Sequence, residues 1–339
     1  YKWIKAALIV VAILLSIATY FIVERPIRFG KTRKGLKAVG LAVALIAIGG
    51  VGAGVWKSGG LAERASLDGY IGNKQFLEEI TKWPQFYDED CKRYVFEMIQ
   101  TDFIKKDGEY CRYKNANGNE TVALIGDSHA AFAFDKVAEY SAALNVSAVM
   151  FGMNDEQNPA NGRVAKLEYA NNVFRVLEKD ETIKKVFIIT RGAMYIHGQR
   201  FVVGDFAKQG AEDFRDKLQT SVDRLNAAGK KVYILAENPE LPSYARTLKD
   251  MLPIQPLQFI QEKYSYKQEV LDKQKVYLET LNEIKGATII HVIDAFCPSD
   301  KCLLLDESGL PLYRDNDHLS VNAGGRFIVE KVLKPYLDE

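Results

Sequence analysis

Thr121-Val122-Ala123-Leu124-Ile125-Gly126-Asp127-Ser128-His129-Ala130 is the stretch whose reading decides the fold. Residues 121–125 are β-branched or apolar and read as a strand buried on both faces of a parallel sheet. Gly126 and Asp127 break the run. Ser128 and His129 then open an amphipathic helix carrying Ala130, Ala131, Phe132, Phe134 and Val137. A serine at that junction sits at the carboxyl end of a strand and the amino end of a helix. Its hydroxyl is exposed there, and backbone N–H groups face any negative charge that develops beside it. The alternative is a plain cap, in which Asp127 or Ser128 closes the helix N-terminus without chemistry. Asp315-Asn316-Asp317-His318-Leu319-Ser320, near the other end of the chain, decides between the two.

A serine hydroxyl is a poor nucleophile at neutral pH and needs a base within hydrogen-bond reach. His318 is the best placed of the four histidines. Asp315 precedes it by three residues, so one turn of chain sets a carboxylate against the imidazole nitrogen that does not face the serine. Asp317 is the competing carboxylate, but adjacent side chains diverge, and it is expected to matter little. His129 follows the serine directly and is expected to point away into the structure. His197 and His291 have no acidic neighbour and read as surface or core residues.

Outward from residue 121 the chain alternates. Strands are expected at Thr121–Ile125, Val146–Phe151, Val186–Thr190, Val232–Ala236 and Thr288–Ile293. Helices are expected at Ala130–Leu144, Val164–Lys179, Ala211–Ala228, Tyr264–Lys285 and Val321–Leu337. This rhythm predicts an α/β domain, a parallel sheet with helices on both faces. In such sheets ligands bind beyond the carboxyl ends of the strands, where Ser128 lies.

Toward the N-terminus the character changes. Trp3–Val23 and Leu36–Trp56 are apolar runs, each long enough to span a bilayer, and they predict two transmembrane helices. Between them Arg25, Arg28, Lys31, Arg33 and Lys34 crowd a short loop, which the positive-inside rule places in the cytoplasm. Everything after Trp56 is then expected outside it. Residues 1–57 are thus a membrane part, residues 58–119 an extracytoplasmic extension with no chemistry of its own, and residues 120–339 the α/β domain. The chain begins at Tyr1 rather than at methionine and is expected to continue upstream.

The net charge of +1 and pI of about 7.7 give no electrostatic footprint for nucleic acid. Four cysteines form two local pairs in sequence, with no zinc-type spacing. In an oxidising compartment, proximity alone suggests Cys91–Cys111 and Cys297–Cys302 disulfides.

GDSH followed late in the chain by DxxHLS resembles the paired signature of the SGNH (GDSL-like) hydrolase superfamily. Tyr20-Phe21-Ile22-Val23-Glu24-Arg25-Pro26-Ile27-Arg28 resembles the closing segment of acyltransferase-3 membrane proteins. The resemblance implies a three-layer, flavodoxin-like domain and a bacterial surface-polysaccharide O-acetyltransferase of the O-antigen-modifying kind. It further implies Ser128 as nucleophile and first oxyanion donor, His318 as base and Asp315 as the residue that orients it. Gly152 matches the second oxyanion donor. The third, an asparagine in GxND after the third strand, has no match there. A literal Gly152-Met153-Asn154-Asp155 follows the second strand instead, so either Asn154 reaches the hole from an unusual position or the hole is incomplete. Arg191, after the third predicted strand, either lines the site or makes a structural ion pair. No cofactor is expected in the soluble domain, while acetyl-CoA is the implied donor to an upstream acyltransferase-3 domain in the inner membrane. The acceptor would be a periplasmic surface glycan such as lipopolysaccharide O-antigen. An extracytoplasmic esterase using the same three residues with water as acceptor is the alternative.

Overall fold

In a computed structural model of the chain, residues 2–29, 34–58, 69–70, 73–101, 110–152, 163–197, 205–241 and 266–339 are described. The chain divides into two units, residues 1–64 and residues 65–339.

In the first unit, a helix over Lys2–Thr19 continues through a π-helical turn (Tyr20–Glu24) into Arg25–Phe29, and a second helix spans Lys34–Lys57. The segments Ala7–Phe29 and Gly35–Lys57 have mean hydropathies of 2.4 and 2.2 and bury nothing within the protein. Both are long and apolar enough to cross a membrane.

The second unit is built on six strands: β1 (Tyr110–Lys114), β2 (Glu120–Gly126), β3 (Val146–Gly152), β4 (Ile183–Ile189), β5 (Lys231–Leu235) and β6 (Thr288–Ile290). They form one sheet in the order β1-β3-β2-β4-β5-β6. Strands β2 to β6 are parallel, as their apolar runs predict. Side chains of β2 alternate between two cores. Val122 and Leu124 join the helix Ser128–Ala143 and the C-terminal segments on one face. Ala123 and Ile125 join the helices Arg163–Lys179 and Asp205–Ala227 on the other. Leu124 and Ile125 are at most 2% exposed, each contributing about 1.5–3 kcal/mol of burial to its own layer.

The sheet is mixed rather than all-parallel, because β1 runs antiparallel to β3 on the edge. Distant contacts hold it there. The Asp88 N–H donates to the Cys111 carbonyl, the Cys111 N–H donates to Phe86, and a Cys91–Cys111 disulfide joins the helix Glu89–Ile99 to the strand. The alternating Tyr-Cys-Arg-Tyr-Lys run has no local signal strong enough to reveal this. The second disulfide, Cys297–Cys302, is also formed. The last strand is shorter than expected, since Ile293–Phe296 already turns as helix. The closing helix starts at Ala323 and includes a π-helical turn over Val329–Leu333. Glu79 of the extension caps this helix, accepting from the N–H groups of Asn322 and Ala323.

Gly126 ends β2 where the chain must pass close to β4. A Cβ there would lie 1.8 Å from the Ile189 carbonyl oxygen, so only glycine lets the chain reach Ser128 along this path.

Candidate active site

Asp127 caps the helix Ser128–Ala143, one carboxylate oxygen accepting from the His129 N–H at 2.9 Å. Its other oxygen accepts from the Arg191 N–H at 2.7 Å and from the Tyr195 hydroxyl at 3.2 Å. Asp127 therefore ties the end of β2 to the end of β4, while Ser128 occupies the first helical position. The N–H of a first-turn residue has no intrahelical acceptor. Gly152 ends β3 directly opposite Gly126, on the same carboxyl edge of the sheet. Asn154 lies outside the described residues. After β4 the sequence Thr190-Arg191 supplies no asparagine, and the Arg191 N–H is already bound to Asp127.

The Asp315–His318 turn is held from several sides. The Arg314 N–H donates to the His318 carbonyl, and the Ser320 N–H donates to Leu312. The Ser320 hydroxyl donates to the Pro311 carbonyl at 2.6 Å and accepts from the Gly324 N–H at 2.8 Å. That buried serine locks the turn onto the closing helix. From the segment after β5, Asn238 Nδ2 donates to the Asp317 carbonyl at 2.7 Å and the Leu241 N–H donates to Asn316.

In consequence the two motifs meet. His318 Nε2 lies 2.8 Å from Ser128 Oγ, across 190 residues of sequence. His318 Nδ1 lies 2.9 and 3.0 Å from the two oxygens of Asp315. Asp315 also accepts from the backbone N–H groups of His318 and Asp317 and from Arg314 at 2.7 Å. Burial alone would raise the Asp315 carboxyl, but these hydrogen bonds, led by the His318 ring, hold it well below the usual carboxylate range. It remains an anion whenever the imidazole needs one.

This geometry has a counterpart in the sequence of a known family. The family described as SGNH domain (fused to AT3 domains) matches residues 95–334, more than half of the chain. The chain belongs to this SGNH family. Among solved structures, the SGNH chain is similar to the lipopolysaccharide acetyltransferase periplasmic domain of Salmonella ser. Paratyphi A. That match has 17% identity, 67% of this chain and 85% of that chain covered, and a TM-score of 0.46. It is also similar to a proposed acylhydrolase of Bacteroides fragilis NCTC 9343, with 12% identity, 74% and 96% coverage and a TM-score of 0.38. No curated protein matches it. Family membership makes the second unit an acyl-handling enzyme domain of the esterase or acyltransferase kind.

Around the SGNH triad lies a buried charged layer that the sequence does not announce. His129 is 5% exposed and its ring centroid is 5.4 Å from that of His318, so it faces the site instead of turning away. Asp317 Oδ2 is 3.3 Å from Arg191, 3.5 Å from His129 Nε2 and 3.6 Å from His318 Nδ1. Arg191 also pairs with buried Glu240, so the ion-pair reading of Arg191 is the one whose partners are present. Burial would lower His129, but Asp317 and Asp127 together raise its pKa. Burial would raise Asp317, but His129, His318 and Arg191 bring it down. Glu237, facing Glu240 in the same layer, is pushed well up by its burial and by that neighbour's charge. Its Oε2 accepts from the Ala193 N–H at 2.8 Å. The only signal for this layer was the acidic pair Glu237 and Glu240 just past a strand's carboxyl end.

His129, Asp317 and His318 also place one ligand atom each within 4.8 Å of one another. Two of the three are already engaged with Arg191 and Ser128, so the set reads as part of the ion-pair layer behind the triad.

The extension packs on the α/β domain beside the site. Trp83 packs edge-on to His318 at a centroid distance of 5.8 Å and against Phe132 at 5.6 Å.

Proposed function

We propose that this protein is an O-acyltransferase that carries its acyl group, an acetyl group, on Ser128. The relay Ser128–His318–Asp315 in a domain joined to two membrane-length helices is the observation that carries this reading. In acylation, Ser128 Oγ attacks the donor carbonyl while His318 Nε2 takes its proton, and Asp315 stabilises the imidazolium that forms. The Ser128 N–H at the helix start and the Gly152 N–H are the donors proposed to face the tetrahedral oxyanion. The proton then passes to the leaving group. In the second half-reaction a sugar hydroxyl attacks the acyl-serine ester, and Ser128 Oγ departs as His318 returns the proton.

On this reading an acyltransferase-3 domain upstream of Tyr1 delivers acetyl from acetyl-CoA across the inner membrane. The acceptor is a periplasmic surface glycan such as lipopolysaccharide O-antigen. The fusion named in the family description and the two apolar helices support this arrangement.

The test has two arms. The full chain, treated with p-nitrophenyl acetate and digested, should carry one acetyl group on the peptide containing Ser128, and Ser128→Ala should carry none. In cells, the acetyl content of the surface glycan should fall when Ser128→Ala replaces the wild type. A rise in acetyl content in the variant would overturn transfer and leave the esterase.

A further inference from the structure

Among the described residues beyond Lys57, four large apolar side chains stand well exposed: Trp83, Phe96, Leu144 and Tyr266. Of these, Trp83 alone touches the triad, with its ring edge-on to His318. It is 51% exposed. One part of the indole lies under the Arg314 guanidinium, 3.6 Å from the ring centroid. Arg314 in turn donates to Asp315 at 2.7 Å. An indole set beside a catalytic base, backed by a cation and half open to solvent, offers an aromatic surface at the point where an acceptor must arrive. Water as acceptor would gain nothing from it.

We propose that Trp83, backed by Arg314, is the stacking platform for the acceptor pyranose, an inference that rests on the acyl-transfer reading above. One face of a pyranose is a patch of axial C–H groups, and the electron-rich indole face complements it; the sugar rim is hydroxyl, matching the guanidinium beside it. The Trp83 ring centroid is 5.8 Å from that of His318, whose Nε2 is 2.8 Å from Ser128 Oγ, so a pyranose stacked on the exposed part of the indole lies beside the acyl group. A stacked pyranose therefore presents a hydroxyl to the acyl group on Ser128. The sugar oxygen forms a bond to the acyl carbon as its proton moves to His318 Nε2. The bond from that carbon to Ser128 Oγ breaks, and the same proton passes to Oγ. One acetyl ester is exchanged for another, and no further reactant is needed.

The experiment partitions a preformed acyl-enzyme between acceptors. The full chain is given p-nitrophenyl acetate with methyl α-D-pyranosides of glucose, galactose, mannose and rhamnose, and in parallel with ethanol. The readout is the ratio of acetyl-glycoside to ethyl acetate. Effects of a variant on acylation cancel in that ratio. Trp83→Leu should lower it about tenfold, the size of one good aromatic contact, with a higher half-saturating glycoside concentration. Trp83→Tyr should restore most of it. Glycosides should also change the tryptophan fluorescence of the wild type saturably, a change missing in Trp83→Phe, and this measurement stands whether or not Trp83→Leu folds. An unchanged ratio in Trp83→Leu, or ethyl acetate without any acetyl-glycoside in the wild type, overturns the platform. Absence of acetyl on Ser128 would instead overturn the acyl-transfer reading, so the two failures are distinct.

Discussion

Asp317→Asn is the most searching perturbation of the site, because it deletes one charge and leaves the shape almost unchanged. Asp317 Oδ2 faces the Arg191 guanidinium at 3.3 Å and the His129 imidazole, whose pKa is raised, at 3.5 Å, and is 4% exposed as a residue. At an effective dielectric of about 20, each such pair attracts by ~5 kcal/mol before desolvation is subtracted. Breaking a buried pair typically costs about 3–5 kcal/mol. Arg191 keeps Glu240, so the main loss falls on His129. The direction of each pKa shift fixes the pH window. His129 is raised, so its contribution is complete below the unfolded histidine value of about 6.5 and disappears as pH climbs through the folded value. Asp317 is lowered, so its contribution is complete above the unfolded aspartate value of about 3.9 and disappears as pH falls through the folded one. The gap in stability between wild type and Asp317→Asn should therefore be widest between about pH 4 and 6.5, at ~3 kcal/mol. It should narrow as the pH rises further.

Urea unfolding of both proteins at a series of pH values, followed by near-ultraviolet circular dichroism, measures this directly. A gap that stays constant with pH would show that His129 is neutral beside Asp317, and the reasoning would fail. So would a variant as stable as the wild type at pH 5.

Two further outcomes follow from the geometry. Asp315→Asn should fold, because an amide oxygen can still accept from the backbone N–H groups of His318 and Asp317. Its amide nitrogen then meets either His318 Nδ1 or Arg314 unfavourably, so the rate of Ser128 acylation should fall toward the roughly 10⁴-fold loss seen for the matching change in a serine protease; a loss under tenfold would remove Asp315 from the relay. Replacing both cysteines of a pair by alanine should cost about 3 kcal/mol for Cys91–Cys111, with its separation of 20 residues, and about 2 kcal/mol for Cys297–Cys302, with its separation of 5. Four titratable thiols in the denatured, unreduced protein would refute both bridges.

What was legible in the sequence was whatever the chain encodes within one element. The two-sided burial of Val122 to Ile125 is written in an unbroken apolar run, and the neighbouring helices in their 3.6-residue pattern. Asp315 and His318 share a single turn, so their pairing was legible as well. What escaped depended on distant segments meeting. The edge strand Tyr110–Lys114 exists through Asp88, Phe86 and Cys91, none of them near it in sequence. His129 and Asp317 looked separable from the triad because the start of one helix and a late turn meet only in the folded domain. Trp83 lies in the extension, and its contact with His318 is made entirely by tertiary packing.

The proposed oxyanion site and the acceptor platform bear on the same kinetic question. β4 ends without the asparagine that the family resemblance leads one to expect, and the Arg191 N–H that stands there is held by Asp127. Loss of one oxyanion donor costs about 10²–10³ in rate in a protease. On the incomplete-hole reading, every attack on the acyl-serine is slowed, by water and by sugar alike. Water has no means of recovering that loss. A sugar fixed on Trp83 does, because holding an acceptor in attacking geometry is worth effective molarities of about 10⁵ M or more. The consequence is selective: an acyl-enzyme too sluggish for hydrolysis survives until an acceptor is seated, and the same deficit that makes a poor esterase favours a transferase. On this argument, restoring an asparagine donor after β4 should shorten the life of the acyl-enzyme before an acceptor arrives and so lower the fraction of acetyl groups transferred at low acceptor concentration.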